Sequence, residues 1–433
     1  MTRRIRWQLL IAAVSSLVVL GLMSYLALTT ASVARPLTGG AYVEGLADTP
    51  QLLNPLVFRP AEDPAAADIQ RLVFDGLMRI GPDGLPEPAL AQFWEMDEQG
   101  LVYTFTLRSD VTWHDGTPLT VDDVLFTLRT LQGPVFGGDP SYATVWRNVL
   151  VEQVGEYSIR CRLEAPFAPF LRYATFPILP AHLLADVPPQ EWSTIPFSRR
   201  PVGTGPYRLD ELSAERALLS ANPSYFGGRP FIDSIELRFF PSVQSALAAL
   251  ARGEIAGVGF TGSSELAQFN PPRGFVRRTA PLDSYSVLTF NLRQGPLADL
   301  GLRRALALGL DKDLLIDRAL GGQGVRIDTP IMPGWWAASP DVAWYPPDQA
   351  QANEVLDSLG YERGPDGMRA RDGAPLELEL ISDGMPERAA AAQEIARQWE
   401  ALGVRVTVEQ LESAELQRRL ADHEFELALH GWQ

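Results

Sequence analysis

The sequence predicts an α/β protein built in two parts of different character. Three observations lead there: the length, the strand patterns before residue 280, and the strand–helix order after residue 285. A chain of 433 residues is longer than one hydrophobic core usually serves, so at least two domains are expected. Its composition, 46% apolar and 21% charged, is that of a folded protein and excludes disorder over most of the chain. Before residue 280 the strands alternate and helices are few, which predicts an antiparallel-rich region. After residue 285 the order is strand, helix, strand, helix, strand, which builds parallel strands with right-handed crossovers.

The elements follow in order. "MTRRIR" carries three arginines, and the run "WQLLIAAVSSLVVLGLMSYLAL" (7–28) has no charge. A bilayer needs about 20 such residues. The arginines belong on the cytoplasmic side, so the body faces outward. The segment reads as an uncleaved membrane anchor, with a signal peptide cut after Ala34 as the alternative. "AYVEGL" is a strand that runs into the loop "DTPQLLNP" (48–55). "PAAADIQRLVFDGLMRI" (64–80) has Ile69, Leu72, Val73 and Leu77 at helical spacing. In "LVYTFTL", Val102, Thr104 and Thr106 alternate with Tyr103, Phe105 and Leu107, the period of a half-buried strand. "YSIRCRLEA" and "YRLDELSAERALLSA" alternate likewise.

The second part opens with the strand "SYSVLTFNL" and the helical stretch "LADLGLRRALALGLDKDLLIDRAL". Then come the strand "LELELISD", the helix "PERAAAAQEIARQWEALG", the strand "VRVTVEQL", the helix "AELQRRLAD" and the strand "FELALH". Gly403 stands where a left-handed helix cap is wanted. The sequence ends at "HGWQ", directly after a strand, and reads as an interrupted α/β domain.

The net charge of −16 argues against a nucleic-acid partner. Cys161 is the only cysteine, so neither an intramolecular disulfide nor a multi-thiolate metal site is expected. It reads as a strand residue. His182, His423 and His430 are scattered, and "HEFEL" has leucine at 427 where a zinc-protease motif needs histidine. "VGTGPY" lacks the third glycine of a dinucleotide loop. No metal and no cofactor are expected.

"WHDGTPLTVDDV" (113–124) is the densest polar cluster. Asp115-Gly116 makes a turn after a strand, and Pro118 stiffens the approach. Thr120 can cap a helix while Asp123, three residues on, returns a bond to its backbone. Acidic residues at 122 and 123 suit the helix N-terminus. Only His114 is left without a task, so the cluster reads as structural, against a catalytic or metal role. Trp335, Trp336, Trp344, Tyr345 and Trp432 read as packing, or as the aromatic wall of a ligand cleft.

Several stretches, in order, resemble one family: the extracytoplasmic solute-binding proteins of the peptide and nickel class (family 5) that serve ABC importers. They are "LRSDVTWHDGTPLTVDDVLFTL", "PVGTGPYRL" (201–209), "FNLRQGPLADLGLRRALALGLDKDLLI" (290–316), "DGMRARDGAPLELEL" (366–380) and "FELALHGW". The resemblance covers about residues 41–433. It implies a two-lobe, periplasmic-binding-protein type II-like α/β fold with an added antiparallel subdomain in lobe I. Residues 1–34 would be the signal or anchor, 35–280 lobe I and 281–433 lobe II. It implies ligand contacts at Gln51, Tyr142, Asn291 and Trp432. It assigns Trp113, His114, Asp115, Gly116, Thr120 and Asp123, with the turn Gly203, Thr204, Gly205, Pro206 and Tyr207, to structure.

Peptide-binding members carry an aspartate soon after the Gly-Trp pair, beyond Gln433, so lobe II is expected to be C-terminally incomplete. The implied function is capture of a small peptide or similar solute by an extracytoplasmic monomer, at the membrane or free in the periplasm. Its partners would be an ABC permease and its ATPase. The rivals are a membrane-anchored ligand sensor and an extracellular hydrolase. No ordered catalytic motif supports the hydrolase.

Overall fold

The structure, a computed structural model, describes residues 7, 13–25, 37–57, 63–259, 270–279, 284–293, 295–331, 338–339, 341–342 and 344–432. Residues 13–25 are helical, with exposed apolar side chains. The rest of the expected anchor, apart from Trp7, lies outside the described residues. Among the described residues no helix is long and apolar enough to cross a membrane.

The first sheet joins β1 (Ala41–Leu46) to β6 (Tyr207–Leu212), β7 (Arg216–Ala221), β8 (Ser234–Phe239) and β9 (Gly257–Val258), in the order β9-β1-β8-β7-β6. β1 runs parallel to β8 and β9. β7 runs antiparallel to both β8 and β6. Beside it lies a wholly antiparallel sheet of β2 (Ala91–Met96), β3 (Val102–Leu107), β4 (Leu150–Gly155) and β5 (Ser158–Arg162), in the order β2-β3-β5-β4. The alternation read from the sequence is seen in β3, where Tyr103, Phe105 and Leu107 are buried and the residues between them are half-exposed. Cys161 of β5 is fully buried, and that burial pushes its thiol pKa up.

Helices α1 (Pro64–Val73), α2 (Val121–Gln132), α3 (Pro140–Trp146) and α4 (Val243–Ala251) pack around these sheets. α1 stops at Val73, short of Leu77, the last residue at the helical spacing. Phe74 turns to extended backbone, and Gly76 then pairs with Pro177. A Cβ on Gly76 would lie 2.6 Å from the Thr175 backbone, so the chain leaves the helix to make this close approach. The largest core cluster gathers residues between Leu46 and Leu237, with Trp113 and Trp146 fully buried.

The second part has its own core, from Leu297 to Leu429, with Trp399 fully buried in it. Its sheet joins β10 (Tyr285–Phe290), β11 (Glu377–Asp383), β12 (Arg405–Leu411) and β13 (Leu427–Trp432), in the order β10-β13-β11-β12. β11, β12 and β13 are mutually parallel, and β10 is antiparallel to β13. α5 (Leu300–Leu308), α6 (Lys312–Leu320) and α7 (Gln349–Ser358) precede them, while α8 (Pro386–Glu400) and α9 (Ser413–Asp422) make the crossovers. This is the strand–helix order expected from sequence. Gly403 has φ +83° and ends the α8 segment as foreseen. In the 366–380 stretch, Asp372 and Gly373 both have positive φ, which closes the tight hairpin Arg369–Pro375.

α8 and α9 cover opposite faces of the sheet. Leu380 packs in the main cluster with Ala391, Ile395 and Trp399 of α8. The adjacent Ile381 packs with Leu416 of α9. Neighbouring strand residues point to opposite faces, so the chain leaves β11 on one face and returns to β13 by the other.

Candidate functional site

His114 joins two motifs that are distant in sequence. Its backbone N–H donates to the Gly203 carbonyl (2.8 Å). The Gly203 N–H lies 3.3 Å from Nδ1, and Nε2 lies 3.0 Å from the Gly205 carbonyl. A carbonyl can only accept and an amide N–H can only donate, so this network assigns the proton to Nε2. Burial pushes the His114 pKa below its ordinary value, against the pull of the Gly205 carbonyl and with Arg208 adding to the fall. The ring is a neutral clasp with both nitrogens in use.

The loop it holds is pressed against the end of α1. Gly205 N–H donates to the Val73 carbonyl (2.8 Å). A Cβ on Gly203 would collide with that carbonyl oxygen, and one on Gly205 would sit 2.5 Å from the Leu72 carbonyl oxygen. Only glycine fits this approach. Thr204 is 1% exposed, and its hydroxyl donates to Asp75 Oδ2 (3.1 Å), while Tyr225 donates to Oδ1 (3.0 Å). Burial raises the Asp75 pKa despite these two donors. The Pro206 carbonyl accepts from Asn222, and Tyr207 donates to Ile232.

The remaining polar groups are also engaged. Asp115 accepts from Thr117 N–H (3.0 Å) and pairs with His182 (2.8 Å), and Gly116 turns with φ +90°. Asp123, 4% exposed, accepts from Thr120 N–H (2.8 Å), the Thr120 hydroxyl (3.1 Å), Ala181 N–H (2.8 Å) and Trp113 Nε1 (3.4 Å). The segment from Trp113 to Asp123 thus ties α1, α2, β6 and residue 181 into one knot. His114, Asp115, Thr120 and Asp123 in it are all committed to hydrogen bonds or ion pairs within the fold. Among the described residues no group of three or more His, Cys, Asp or Glu could hold a metal ion.

The four candidate ligand contacts are placed differently. Gln51 is exposed in the loop after β1, its N–H bonded to Asp63 (2.9 Å). Tyr142 of α3 is half-buried, edge-on to Tyr173 and Phe176, with its hydroxyl 3.5 Å from that of Thr175. Asn291 is 5% exposed; its amide donates to the His423 and Phe425 carbonyls (3.0 and 2.8 Å) and accepts from Arg293 N–H (3.0 Å). Both donors of that amide are spent on backbone, so Asn291 locks the end of β10 to the turn before β13. Trp432 ends β13 opposite Tyr285; its side chain lies outside the described residues. Trp335 and Trp336 lie outside them too. Trp344 is described, exposed under the Arg326 guanidinium at 4.1 Å.

The sheet topology marks another position. In an open α/β sheet, ligands sit outside the carboxyl ends of strands where the winding reverses. Here that crevice lies between β11 and β13, whose carboxyl ends carry Asp383 and Gly431. Arg388, in the first turn of α8, lies across it. Its Nε bonds both Asp383 oxygens (2.8 and 2.9 Å), and its Nη2 lies 2.7 Å from Oδ2. Nη1 makes no hydrogen bond among the described residues, and a Cβ on Gly431 would lie 2.7 Å from it. The glycine of the Gly-Trp pair is therefore what leaves room for the guanidinium. Sequence reading missed Asp383 and Arg388. The available signal was a charge of each sign at a strand end and the next helix start.

An open groove of about 500 Å³ also runs along α2, lined by Leu125, Phe126, Leu184 and Trp192 with Asp122 and Arg129 at its rim. None of the candidate ligand residues lines it.

Comparison with known proteins gives a consistent picture. The model of the family described as bacterial extracellular solute-binding proteins, family 5 Middle, matches residues 86–433. The chain is 27% identical to the oligopeptide-binding protein AppA of Bacillus subtilis over 413 residues, covering 93% of the chain and 75% of that protein. It is 27% identical to the dipeptide-binding protein of Escherichia coli, covering 80% of the chain and 67% of that protein. The structure of Campylobacter jejuni NikZ, solved with Ni(L-His), aligns at TM-score 0.66 and 26% identity, over 90% of this chain and 77% of that one. The chain spans only part of the length of these curated relatives.

Proposed function

Because the chain belongs to the bacterial extracellular solute-binding proteins of family 5, we propose that it captures a peptide or similar small solute at the carboxyl edge of its second sheet and delivers it to a membrane permease. It is the solute-binding component of an ABC importer, a binding protein and not an enzyme. The family match over residues 86–433 carries this reading, because it runs through both the antiparallel sheet and the parallel one.

Lobe I is residues 35–280 and lobe II residues 281–433. Gln51 and Tyr142 offer contacts from the first, and Trp432 with the Asp383–Arg388 pair from the second. Asn291 serves the site by holding its strand end. The relatives are named for oligopeptides and dipeptides, and NikZ was solved with Ni(L-His); each of these solutes carries a carboxylate. A solute touching both lobes favours the closed arrangement by its preference for that state alone. Residues 7–28, if kept as an anchor, raise the effective concentration near the permease.

The test is a solute screen on the full chain by thermal melting: tripeptide pools, Ni(L-His) and oligosaccharides. The tripeptide pool is expected to raise the melting temperature, with about 2.7 kcal/mol of stabilisation at a hundredfold excess over Kd. No shift with any class, or catalytic turnover of the peptides, overturns the reading.

A further inference from the structure

We infer that Asp63 is the positioning residue of the loop that offers Gln51, holding its exposed half in place for the solute; this rests on the reading of the chain as a solute-binding protein. The loop 48–55 has two unlike halves. Leu53 and Asn54 are fully buried. The Leu53 N–H donates to the Ser198 carbonyl (2.8 Å) and its carbonyl accepts from Gln70 Nε2 (3.1 Å). The Asn54 amide donates to the Trp192 carbonyl and to Ser198 Oγ, both at 3.2 Å. In the other half, Asp48, Thr49 and Gln51 are exposed around a buried Pro50. The Thr49 N–H is bonded inside the loop, to Asp48 (2.8 Å). Among the described residues, one hydrogen bond ties residues 48–52 to another element, from Gln51 N–H to Asp63 Oδ2 (2.9 Å).

Capping of the helix explains only half of the bonding at Asp63. Oδ1 accepts the Ala66 N–H (2.8 Å) as the N-cap of α1, whose first turn is buried at Ala65, Ala66 and Ala67. A cap needs one acceptor, and asparagine or serine supplies it as well. The negative charge also suits the helix dipole, but neither effect requires the second oxygen. A carboxylate has two acceptors, and here the second serves a residue twelve positions back in the chain. The buried start of α1 is thus a fixed post, and Oδ2 carries its rigidity to Gln51. A solute then meets a side chain whose backbone is already ordered, which lowers the entropic cost of binding.

The experiment titrates a tripeptide pool into the full chain, followed by native mass spectrometry, beside deuterium exchange of the solute-free protein. Asp63→Asn keeps an acceptor for the cap and loses the second one. It should weaken the affinity about three- to tenfold, the range of one net hydrogen bond, and speed exchange over residues 47–53 but not over α1. Asp348→Asn is the control. Asp348 caps α7 with one oxygen, bonded to Gln351 N–H, and its side chain makes no other bond among the described residues. That variant should keep wild-type affinity and wild-type exchange over 47–53. If Asp63→Asn fails to fold, Asp63→Ser, a cap with a single acceptor, carries the same expectation. A folded Asp63 variant with wild-type affinity overturns the inference and leaves the solute-binding reading standing. Unchanged exchange over 47–53, or an equal loss of affinity in Asp348→Asn, does the same. A wild-type chain that binds no tripeptide overturns the peptide reading and the inference with it.

Discussion

At the residue scale, His114 shows how a titratable group can be conspicuous in sequence and inert in chemistry. Its ring nitrogens face one backbone donor and one backbone acceptor, an arrangement that only the neutral imidazole satisfies. Burial lowers its folded-state pKa. The sign follows directly: above the unfolded value, about 6.5, the clasp contributes fully. As pH falls below that value the unfolded chain takes up the proton first, and stability drops towards the depressed folded value. Thermal melts from pH 7.5 to 5 should show this fall, and His114→Gln should flatten it. An unchanged slope in the folded variant would mean that other groups set the acid sensitivity. The cap reading of Thr120 and Asp123 was legible in sequence because capping is local. The partner of His114 was not, since Gly203 and Gly205 stand about ninety residues away.

At the element scale, the start of α2 is held less by its N-cap residue than by the residue three further on. Thr120 contributes one hydroxyl donor, whereas Asp123 also takes the Thr120 and Ala181 amides and the Trp113 indole. Thr120→Ala should therefore cost about 1 kcal/mol, the range of a lost cap. Asp123→Ala should cost more, about 2 kcal/mol, because it takes the acceptor from the part-buried Thr120 and Ala181 amides and from the Trp113 indole. Urea denaturation of the two variants checks the order; equal costs would mean that the tie to Ala181 carries no weight. The strands and helices after residue 285 were readable because each has a clear period and a cap. The end of α1 was not, since tertiary contact at Gly76 stops it where the apolar spacing would continue.

At the scale of the whole molecule, the two large core clusters draw on separate stretches of chain, 46–237 and 297–429. From residue 37 on, the hydrogen bonds and ion pairs formed between described residues stay within residues 37–279 or within 284–432. Hinge closure, as proposed for the solute-bound chain, has a direct check. Small-angle scattering should show the radius of gyration falling when a tight-binding tripeptide pool is added; tight binding with no change in size would exclude hinge closure. The sequence by itself determined the α/β class, the glycine turn and the family resemblance, because periodicity, caps and turn chemistry are encoded within a few residues. Tertiary structure alone decided that His114 clasps the glycine turn, that Asn291 is spent on backbone, and that Arg388 and Asp383 meet Gly431. These depend on which strands become neighbours, and sheet order is set by packing across the whole core.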